Sequence, residues 1–241
     1  MNILVIGTGN VAFSLVPALK NAGHNVTNSP SRGEIQVPPL TEVCIICTAD
    51  KGIEPVVKSL KTKNIIVHTS GSTDLEVLKK HSEKCGVIYP VQTFTKGKNV
   101  DFKNVPLLIE ASDNDTFIII QKLAASLSND VRKMSSEQRK FLHLAAVFAC
   151  NFTNHFFAVS KLLTESNGVD FNLLKPLINE TVRKAENADP KECQSGPAVR
   201  NDQEILNLHL KMLENYDTLK KIYTFVSRSI TEFRDKCNQK I

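Results

Sequence analysis

The feature that most constrains this 241-residue chain is a glycine-containing turn close to its first residue. The apolar run Ile3–Ile6 leads into Gly7-Thr8-Gly9-Asn10-Val11-Ala12, and a helical pattern follows as far as Ala22. In a strand–turn–helix unit of this kind, the first glycine permits the tight turn and the second lets a pyrophosphate approach the backbone, while a small third residue lets the helix pack on the strand. The helix N-terminus adds unpaired N–H groups and a partial positive charge. We therefore predict that a dinucleotide binds here, and a purely structural turn is the alternative. The predicted binding residues are Gly7, Thr8, Gly9, Asn10, Val11 and Ala12.

The segment after the second predicted strand indicates which dinucleotide is bound. Enzymes that use NAD usually carry Asp or Glu here, to bond the hydroxyls of the adenosine ribose. This chain has Ser29, Ser31 and Arg32 instead. Hydroxyls and a guanidinium suit a 2′-phosphate, so NADP is favoured over NAD; a solvated loop is the alternative for Arg32. Only about ten residues separate Arg32 from the next predicted strand, near Val43, too few for the usual helix and strand. We expect a thinned wall on the adenine side.

Short apolar runs alternate with helical patterns through the first half of the chain. This alternation predicts a parallel sheet covered by helices, as do strand runs that are apolar throughout. The predicted strands are Asn2–Ile6, His24–Asn28, Glu42–Thr48, Asn64–His68, Gly86–Tyr89, Pro106–Glu110 and Asp130–Lys133, and the predicted helices are Asn10–Ala22, Gly52–Leu60, Leu75–His81 and Asp115–Ser126.

The pattern becomes entirely helical near Met134. Ser135 and Ser136, followed by Glu137 and Gln138, form a candidate capping box. The helices predicted after it are approximately Glu137–Leu163, Asn172–Glu186 and Asn201–Phe233. The expected fold is an α/β Rossmann-like domain with a parallel sheet over residues 1–133, followed by an all-α helical domain over residues 134–241.

Composition and charge exclude several classes of protein. The formal net charge is +5, and the basic residues are spread without a block, so nucleic acid is not an expected partner. No run of 18 residues is apolar throughout, so we expect no membrane span and a cytoplasmic protein. Cys44 and Cys47 form a C-x-x-C, but residues three apart on a strand face opposite sides of the sheet. We therefore expect no metal site and six reduced cysteines.

Polar clusters follow three of the predicted strands. Because ligands bind beyond the carboxyl ends of the strands in sheets of this type, each cluster is a candidate part of a site. We expect the cofactor to be bordered by Thr48, Ala49 and Asp50, its nicotinamide edge to be reached by His68 and Ser70, and a substrate pocket to be lined by Gln92 and Thr93. For Ser70 the alternative is that it caps the following helix.

The helical half adds further candidates. His143, Asn151 and Asn154 fall within an arc of about 80° on an otherwise apolar helix, so these polar groups need partners. They form either a structural network or one wall of a cleft between the domains. Arg200, in a polar segment with Asp202, is a candidate to bind an anion or to anchor a neighbouring subunit; a capping loop is the alternative.

These segments together resemble a known family. The glycine turn, the His68–Ser72 turn, the segment Tyr89–Phe94, and the segments Ser136–Asn154 and Gln194–Asp202 resemble uncharacterised oxidoreductases with a Rossmann-like N-terminal domain and a helical C-terminal domain. That family is distantly similar to pyrroline-5-carboxylate reductase and the β-hydroxyacid dehydrogenases. The resemblance implies an NADP-type cofactor, a homodimer formed through the C-terminal helices and a small substrate in the interdomain cleft.

One departure limits what the resemblance carries over. The β-hydroxyacid dehydrogenases place a catalytic Lys one helical turn before an Asn; if Asn151 is that Asn, the Lys position is Val147. His68 or His143 would then have to move the proton, or no residue does. The leading hypothesis is an NADP-dependent oxidoreductase acting on a small C=N or C=O compound, with Gln92, Thr93, Asn151, Asn154 and Arg200 as candidate substrate-binding residues. A non-catalytic dinucleotide sensor and a dimeric structural relic are the alternatives.

Overall fold

The computed structural model describes residues 1–98 and 100–238. Seven strands form one sheet in the order β2-β1-β3-β4-β5-β6-β7. The strands are β1 Asn2–Ile6, β2 Asn25–Ser29, β3 Val43–Ile46, β4 Ile65–His68, β5 Cys85–Pro90, β6 Leu107–Ala111 and β7 Val131–Lys133. All seven predicted strands are therefore present, and the Rossmann-like fold class is confirmed.

The sheet is parallel except at one pair. β5 and β6 run antiparallel, with Ile88 opposite Ile109, and β7 then runs parallel to β6. The prediction of a wholly parallel sheet is wrong at this pair. In the described part of residues 91–106, the connection holds only a short 3₁₀ turn, Phe102–Asn104, whereas a parallel return usually needs a crossover helix.

Helices cover the sheet and then continue without strands. The helices are α1 Asn10–Asn21, α2 Asp50–Ser59, α3 Glu76–Lys79, α4 Asn114–Leu127, α5 Ser136–Ala146, α6 Thr153–Glu165, α7 Lys175–Asn187, α8 Pro197–Arg200, α9 Gln203–Met212 and α10 Asp217–Asn238. A π-helical segment, Val147–Phe152, joins α5 to α6, so the predicted long helix is continuous but locally widened. The predicted helix Asn201–Phe233 is instead divided into α9 and α10, where Asn215 and Asp217 favour a turn and a helix start.

Two clusters of buried side chains form the core, one on each face of the sheet. Val5 and Ile45 pack in one cluster and Leu4 and Ile46 in the other, all at most 1% exposed. Cys47 belongs to the first cluster and Cys44 to the second, which confirms that the C-x-x-C pair faces opposite sides. Burial raises the pKa of the Cys44 thiol to about 11 and that of Cys47 to about 12. Both thiols therefore stay protonated at neutral pH.

Contacts between residues divide the chain into two compact units, Met1–His155 and the residues from Phe156 onward. The division falls inside α6, so α5 and the π-helical segment belong to the unit that contains the sheet. In the described part of the second unit, the buried hydrophobic residues are Ala198 and Leu213, whereas Leu173, Met212 and Phe225 are each at least 70% exposed. The second unit therefore has little core of its own.

The continuous helix Ser136–Glu165 is long and apolar enough to cross a membrane by length and composition alone. Its most apolar 18-residue window has a mean hydropathy of 1.3, and none of that window is buried. A mean over 18 residues tolerates polar residues such as Asn151, whereas the sequence expectation concerned an uninterrupted apolar run, so the expectation of no membrane span stays a prediction. A single helix of this kind is weak evidence for a membrane, since a helix that packs against another protein surface has the same composition.

Candidate functional site

The turn after β1 depends on the absence of side chains at two positions. Gly7 has φ +134°, and a Cβ placed there would lie 2.2 Å from the carbonyl oxygen of Cys47. The Nδ2 group of Asn28, at the end of β2, donates to the carbonyl oxygens of Val5 and Gly7, both at 2.9 Å. A Cβ on Gly9 would meet nothing within 4 Å. The backbone at Gly9 is thus open to an approaching ligand, while Gly7 is locked in place.

A cavity of about 960 Å³ opens in front of this turn. Eight predicted cofactor-binding residues line it, and they are Thr8, Gly9, Asn10, Val11, Ser31, Arg32, Thr48 and Ala49. Lys51, in the first turn of α2, lines the same cavity and was not predicted. The residues that cap α1 and α2, Gly9 and Ala49, make no side-chain capping hydrogen bond.

Two helix N-termini with uncapped N–H groups, one guanidinium and one ammonium group therefore surround one space. Helix N-termini attract anions, and Arg and Lys bind phosphate groups. The donors present fit a phosphate-bearing dinucleotide, and the open backbone at Gly9 gives its pyrophosphate room to approach.

The other predicted cofactor residues lie outside the lining of this cavity. Ala12 is 2% exposed and packs in the core, as expected for the small residue that lets the helix approach the strand. Gly7 N donates to the carbonyl oxygen of Ser29 at 2.8 Å, and the Ser29 hydroxyl donates to the carbonyl oxygen of Pro30 at 3.2 Å. Ser29 therefore shapes the turn through its backbone. No helix or strand lies between Arg32 and Val43, which confirms the shortened segment.

Asp50 joins the start of α2 to the turn that follows β4. Ser70 Oγ donates to Asp50 Oδ1 at 2.7 Å, and Ser72 Oγ donates to the other carboxylate oxygen. Burial raises the pKa of Asp50, but these hydrogen bonds and the charges of His143 and His68 outweigh it, so its pKa lies below the ordinary value. Asp50 is therefore a carboxylate at neutral pH. Ser70 also accepts from the backbone N–H of Thr73 at 2.9 Å, which lies in the turn before α3. The alternative that Ser70 caps α3 is wrong, because the N-cap of that helix is Leu75 and makes no side-chain capping hydrogen bond.

His68 lies at the end of β4 with no exposed surface. Its Nδ1 accepts from the backbone N–H of Ser70 at 3.2 Å. Its Nε2 makes no hydrogen bond of normal geometry. The nearby backbone of Asp74 acts to raise the pKa of the imidazole, but other effects outweigh it. Burial, helped by the charge of Arg139, lowers the pKa of His68 to about 3. His68 is therefore a neutral, enclosed imidazole at neutral pH, and the role of His68 or His143 in proton transfer stays a prediction.

His143 lies on α5 beside Tyr89, the penultimate residue of β5. The Tyr89 hydroxyl oxygen and His143 Nδ1 are 3.3 Å apart, and the two rings meet edge to face with centroids 6.1 Å apart. A Cβ on Gly71 would lie 2.8 Å from His143 Nδ1 and 2.8 Å from Cζ of Tyr89. The turn after β4 thus packs directly on this pair of rings.

A buried ionic network, which the sequence did not reveal, holds α5 against the sheet. Arg139 is 1% exposed, and its Nη1 donates to Glu110 Oε2 at 2.6 Å. Its Nη2 donates to the carbonyl oxygen of Thr73 at 2.5 Å. Ser136 donates to Glu110 through both its N–H and its hydroxyl, at 3.0 and 2.7 Å. The network fixes the start of α5, and with it the helix that carries His143. The predicted capping box at Ser135 and Gln138 is confirmed beside it.

The remaining predicted substrate residues are exposed. Gln92 Oε1 accepts from the backbone N–H of Thr93 at 2.8 Å. The side-chain N–H groups of Gln92 take no part in that hydrogen bond. Asn151 lies in the π-helical segment and Asn154 in the first turn of α6. Arg200 ends α8 in the second unit, and Asp202 caps α9 by accepting from Ile205 N at 3.2 Å. The first unit thus holds Gln92, Thr93, Asn151 and Asn154, and the capping alternative accounts for Asp202.

Comparison with solved structures gives matches over nearly the whole chain. The crystal structure of "putative NADP oxidoreductase BF3122" from Bacteroides fragilis is 36% identical, with 96% of this chain and 98% of that chain covered and a TM-score of 0.87. Protein TM1727 from Thermotoga maritima is 21% identical over 98% of this chain and 99% of that chain, with a TM-score of 0.71. A reductive aminase from Aspergillus terreus, in complex with NADPH and ethyl levulinate, is 12% identical over 99% of this chain and 94% of that chain, with a TM-score of 0.64. At these lower identities the last two show the fold alone.

Two further comparisons were with curated proteins and with family models. No curated protein matches the chain. Residues 105–230 match the family model described as a domain of unknown function, DUF2520, which spans β6 to α10. The match covers more than half of the chain and confirms the resemblance to uncharacterised oxidoreductases of this architecture. The chain belongs to the DUF2520 family.

Proposed function

We propose that this protein is an NADP-dependent oxidoreductase that transfers hydride to or from a small C=N or C=O compound. The observation that carries the proposal is the 960 Å³ cavity, in which the open turn at Gly9, the start of α2, Arg32 and Lys51 converge. The relative from Bacteroides fragilis, described as a "putative NADP oxidoreductase", supports the same conclusion.

Each part of the cavity has a role in this proposal. The backbone N–H groups at the start of α1 bind the pyrophosphate, and Ser31, Arg32 and Lys51 bind the 2′-phosphate that distinguishes NADP from NAD. Thr48 and Ala49 border the cofactor where the next strand ends. When bound, the nicotinamide supplies or accepts the hydride, and the protein contributes orientation and a proton.

His143 is the residue we assign to proton transfer. It is partly exposed, whereas His68 is fully enclosed. Histidine is the side chain best suited to exchange a proton near neutral pH. The Asp50 carboxylate lies close enough to His143 for their charges to interact, and this interaction lowers the pKa of Asp50. We place the substrate next to His143, with Gln92, Thr93, Asn151 and Asn154 as its orienting residues. Arg200 and a substrate position between the two domains stay predictions from the sequence.

The test of this proposal separates binding from turnover. Calorimetric titration should show NADPH binding more tightly than NADH; the chain has no Trp, so fluorescence transfer to the nicotinamide is a poor substitute. Turnover is then measured as NADPH oxidation with a panel of cyclic imines, ketones and 2-keto acids. His143→Gln should bind NADPH normally and lose at least about 100-fold in kcat, the usual contribution of a general acid.

Three outcomes decide between the hypotheses. Binding with turnover supports the oxidoreductase. Binding without turnover on the whole panel favours the dinucleotide sensor, which the shortened Arg32–Val43 segment and Val147 at the Lys position keep as the second candidate. Absence of binding by either dinucleotide overturns both.

We also propose that the protein is a homodimer formed through its C-terminal helices. Large apolar side chains such as Phe148, Met212 and Phe225 are 62% to 74% exposed in the single chain, and patches of this kind mark association surfaces. Light scattering should give twice the mass of one chain. Phe225→Glu should yield monomers, whereas Leu40→Glu, at a loop residue 77% exposed in the first unit, should not. A native protein that scatters as a monomer at all concentrations contradicts the proposal.

A further inference from the structure

Tyr89 is a candidate for a role that neither the sequence nor the comparisons assign. Its hydroxyl oxygen lies 3.3 Å from His143 Nδ1, and this contact is the one hydrogen bond described for that imidazole. Tyr89 is partly buried, and burial raises its pKa, so its phenol stays protonated and uncharged at neutral pH.

The surroundings hold both rings in this arrangement. Tyr89 lies on β5, an interior strand of the sheet, and the backbone of Gly71 leaves no room for a side chain against either ring. Arg139, whose buried ion pair fixes the start of α5, precedes His143 by one helical turn. A hydrogen bond between groups held by a strand and by an anchored helix is more specific than one between exposed, mobile side chains.

We infer that Tyr89 is a positioning residue that accepts the Nδ1–H of His143 and so leaves Nε2 as the atom that exchanges the proton with the substrate. The inference rests on the proposed function for its catalytic meaning. It follows the logic of a general base oriented by a third group, in which the orienting group accepts from one ring nitrogen and the other ring nitrogen does the chemistry.

A hydrogen bond from Nδ1 to Tyr89 is compatible with both the protonated and the neutral form of the His143 imidazole. An imidazolium carries protons on both nitrogens, so a partner on Nδ1 must accept a hydrogen bond, and the Tyr89 oxygen can do so. In the direction of reduction, the C=N or C=O electron pair moves to the heteroatom as the carbon takes hydride from the reduced nicotinamide. The heteroatom then takes the proton from Nε2. His143 is left neutral with its remaining proton still on Nδ1, bonded to Tyr89, and the reverse reaction returns the proton to Nε2.

Charged and titratable groups also lie around this pair. Asp50 on α2 interacts with His143, while Arg139 on α5 and Cys150 in the π-helical segment interact with Tyr89. Arg139 is already paired with Glu110. Tyr89 is therefore the hydrogen-bonding partner that selects between the two ring nitrogens of His143.

The test is the tautomer of His143 by ¹⁵N NMR of the imidazole nitrogens, measured without cofactor at about pH 8.5, where imidazoles are neutral. His143→Gln identifies the signals. The native protein should show His143 mainly as the Nδ1–H tautomer. Tyr89→Phe, which removes only the hydroxyl, should shift the tautomer ratio about fivefold towards Nε2–H, as expected for the loss of one hydrogen bond.

The chain offers a matched control. Tyr223 and His209, in the second unit, form a similar pair with the hydroxyl oxygen 2.7 Å from Nδ1 and the rings edge to face. Tyr223→Phe should change the signals of His209 and leave those of His143 as in the native protein. If native His143 is already the Nε2–H tautomer, or if Tyr89→Phe leaves its tautomer ratio unchanged, the inference is wrong.

Turnover gives a second, separate readout. Tyr89→Phe should lower kcat about tenfold and leave the NADPH dissociation constant unchanged, because the variant alters proton transfer and not binding. Equal kcat in the two proteins would overturn the catalytic part of the inference. Failure to bind NADPH would instead overturn the proposed function, and the tautomer measurement distinguishes the two.

Discussion

The Nη1 group of Arg139 donates to Oε2 of Glu110 at 2.6 Å, and the arginine side chain is only 1% exposed. Arg139 Nη2 continues to the carbonyl oxygen of Thr73 and to the hydroxyl of Ser136. One side chain therefore joins α5, which carries His143, to β6 and to the turn that follows His68 at the end of β4.

Removal of one partner of this ion pair should destabilise the fold severely. Arg139→Met leaves the Glu110 carboxylate without its cation, and breaking a buried pair in this way typically costs 3–5 kcal/mol. The double variant Arg139→Met with Glu110→Leu should be less destabilised than either single variant, because it removes both charges. Urea unfolding of the four proteins measures the interaction energy.

Lys140→Met is the matched control for that series. Lys140 is the next residue on the same helix, and its pair with Asp74, at 2.7 Å, is exposed on both sides. Exposed pairs contribute about 1 kcal/mol or less. A loss as large for Lys140→Met as for Arg139→Met would contradict the assignment of the network to Arg139.

The contrast between this network and the glycine turn shows what the sequence can reveal. The turn was predictable because Gly7, Gly9 and Ala12 lie within six residues and each answers a local steric demand. Arg139 and Glu110 lie 29 residues apart on a helix and a strand. An arginine near a helix start normally indicates an exposed face, so only the tertiary packing reveals that this one is buried.

Gly9→Ala should separate binding from folding. A Cβ on Gly9 meets no protein atom within 4 Å, so the fold and the melting temperature should be nearly unchanged. The same methyl group would occupy the space through which a pyrophosphate approaches the backbone, so calorimetry should show a large loss of NADPH affinity. Tight NADPH binding by Gly9→Ala would show that the dinucleotide does not use this turn.

Gly7→Ala is the companion variant and should behave in the opposite way. Its Cβ would lie 2.2 Å from the Cys47 carbonyl oxygen, at a φ of +134° that L residues rarely adopt. Gly7→Ala should therefore lower the melting temperature by several degrees or prevent folding. Equal thermal stability of the two alanine variants would contradict the geometry of the turn.

Arg32 and Lys51 should determine the preference for NADP over NAD. Both line the cavity, and each charge-assisted hydrogen bond to a phosphate typically changes affinity about 10- to 100-fold. Arg32→Ala and Lys51→Ala should each weaken NADPH binding by that factor and leave NADH binding almost unchanged. Lys58→Ala, on the same helix as Lys51 but outside the cavity lining, serves as the control. If NADH and NADPH weaken equally, the two cations bind a part that both cofactors share.

Lys51 is a residue of the cavity lining that the sequence did not predict. The sequence places Arg32 after the second strand, where a 2′-phosphate is usually read, whereas Lys51 stands 19 residues later in the first turn of a helix. It lines the same cavity because β1 pairs with both β2 and β3, which places the ends of β2 and β3 on the two sides of the glycine turn. The sequence also did not reveal that His68 is fully buried, because a polar residue at a strand end can still be enclosed by the following turn.

His68 should make the protein sensitive to acid. Burial, with the charge of Arg139, lowers its folded-state pKa to about 3, against about 6.5 for an exposed histidine, while the nearby Asp50 and Asp74 oppose the shift only partly. Between these two values the unfolded chain binds a proton that the folded protein does not. The contribution of His68 to the free energy of unfolding is therefore fully present above pH 6.5 and is lost as the pH drops towards 3.

At about pH 4.5 this residue alone should lower the free energy of unfolding by about 2–3 kcal/mol relative to pH 7.5. Urea unfolding at the two pH values measures the drop. His68→Gln, uncharged throughout, should show a drop smaller by that amount. Asp113, whose pKa hydrogen bonds from Thr116 lower to about 2, adds acid sensitivity equally in both proteins and cancels in the comparison. An unchanged drop in His68→Gln would show that His68 accepts a proton in the folded state, and would support it as a candidate for proton transfer.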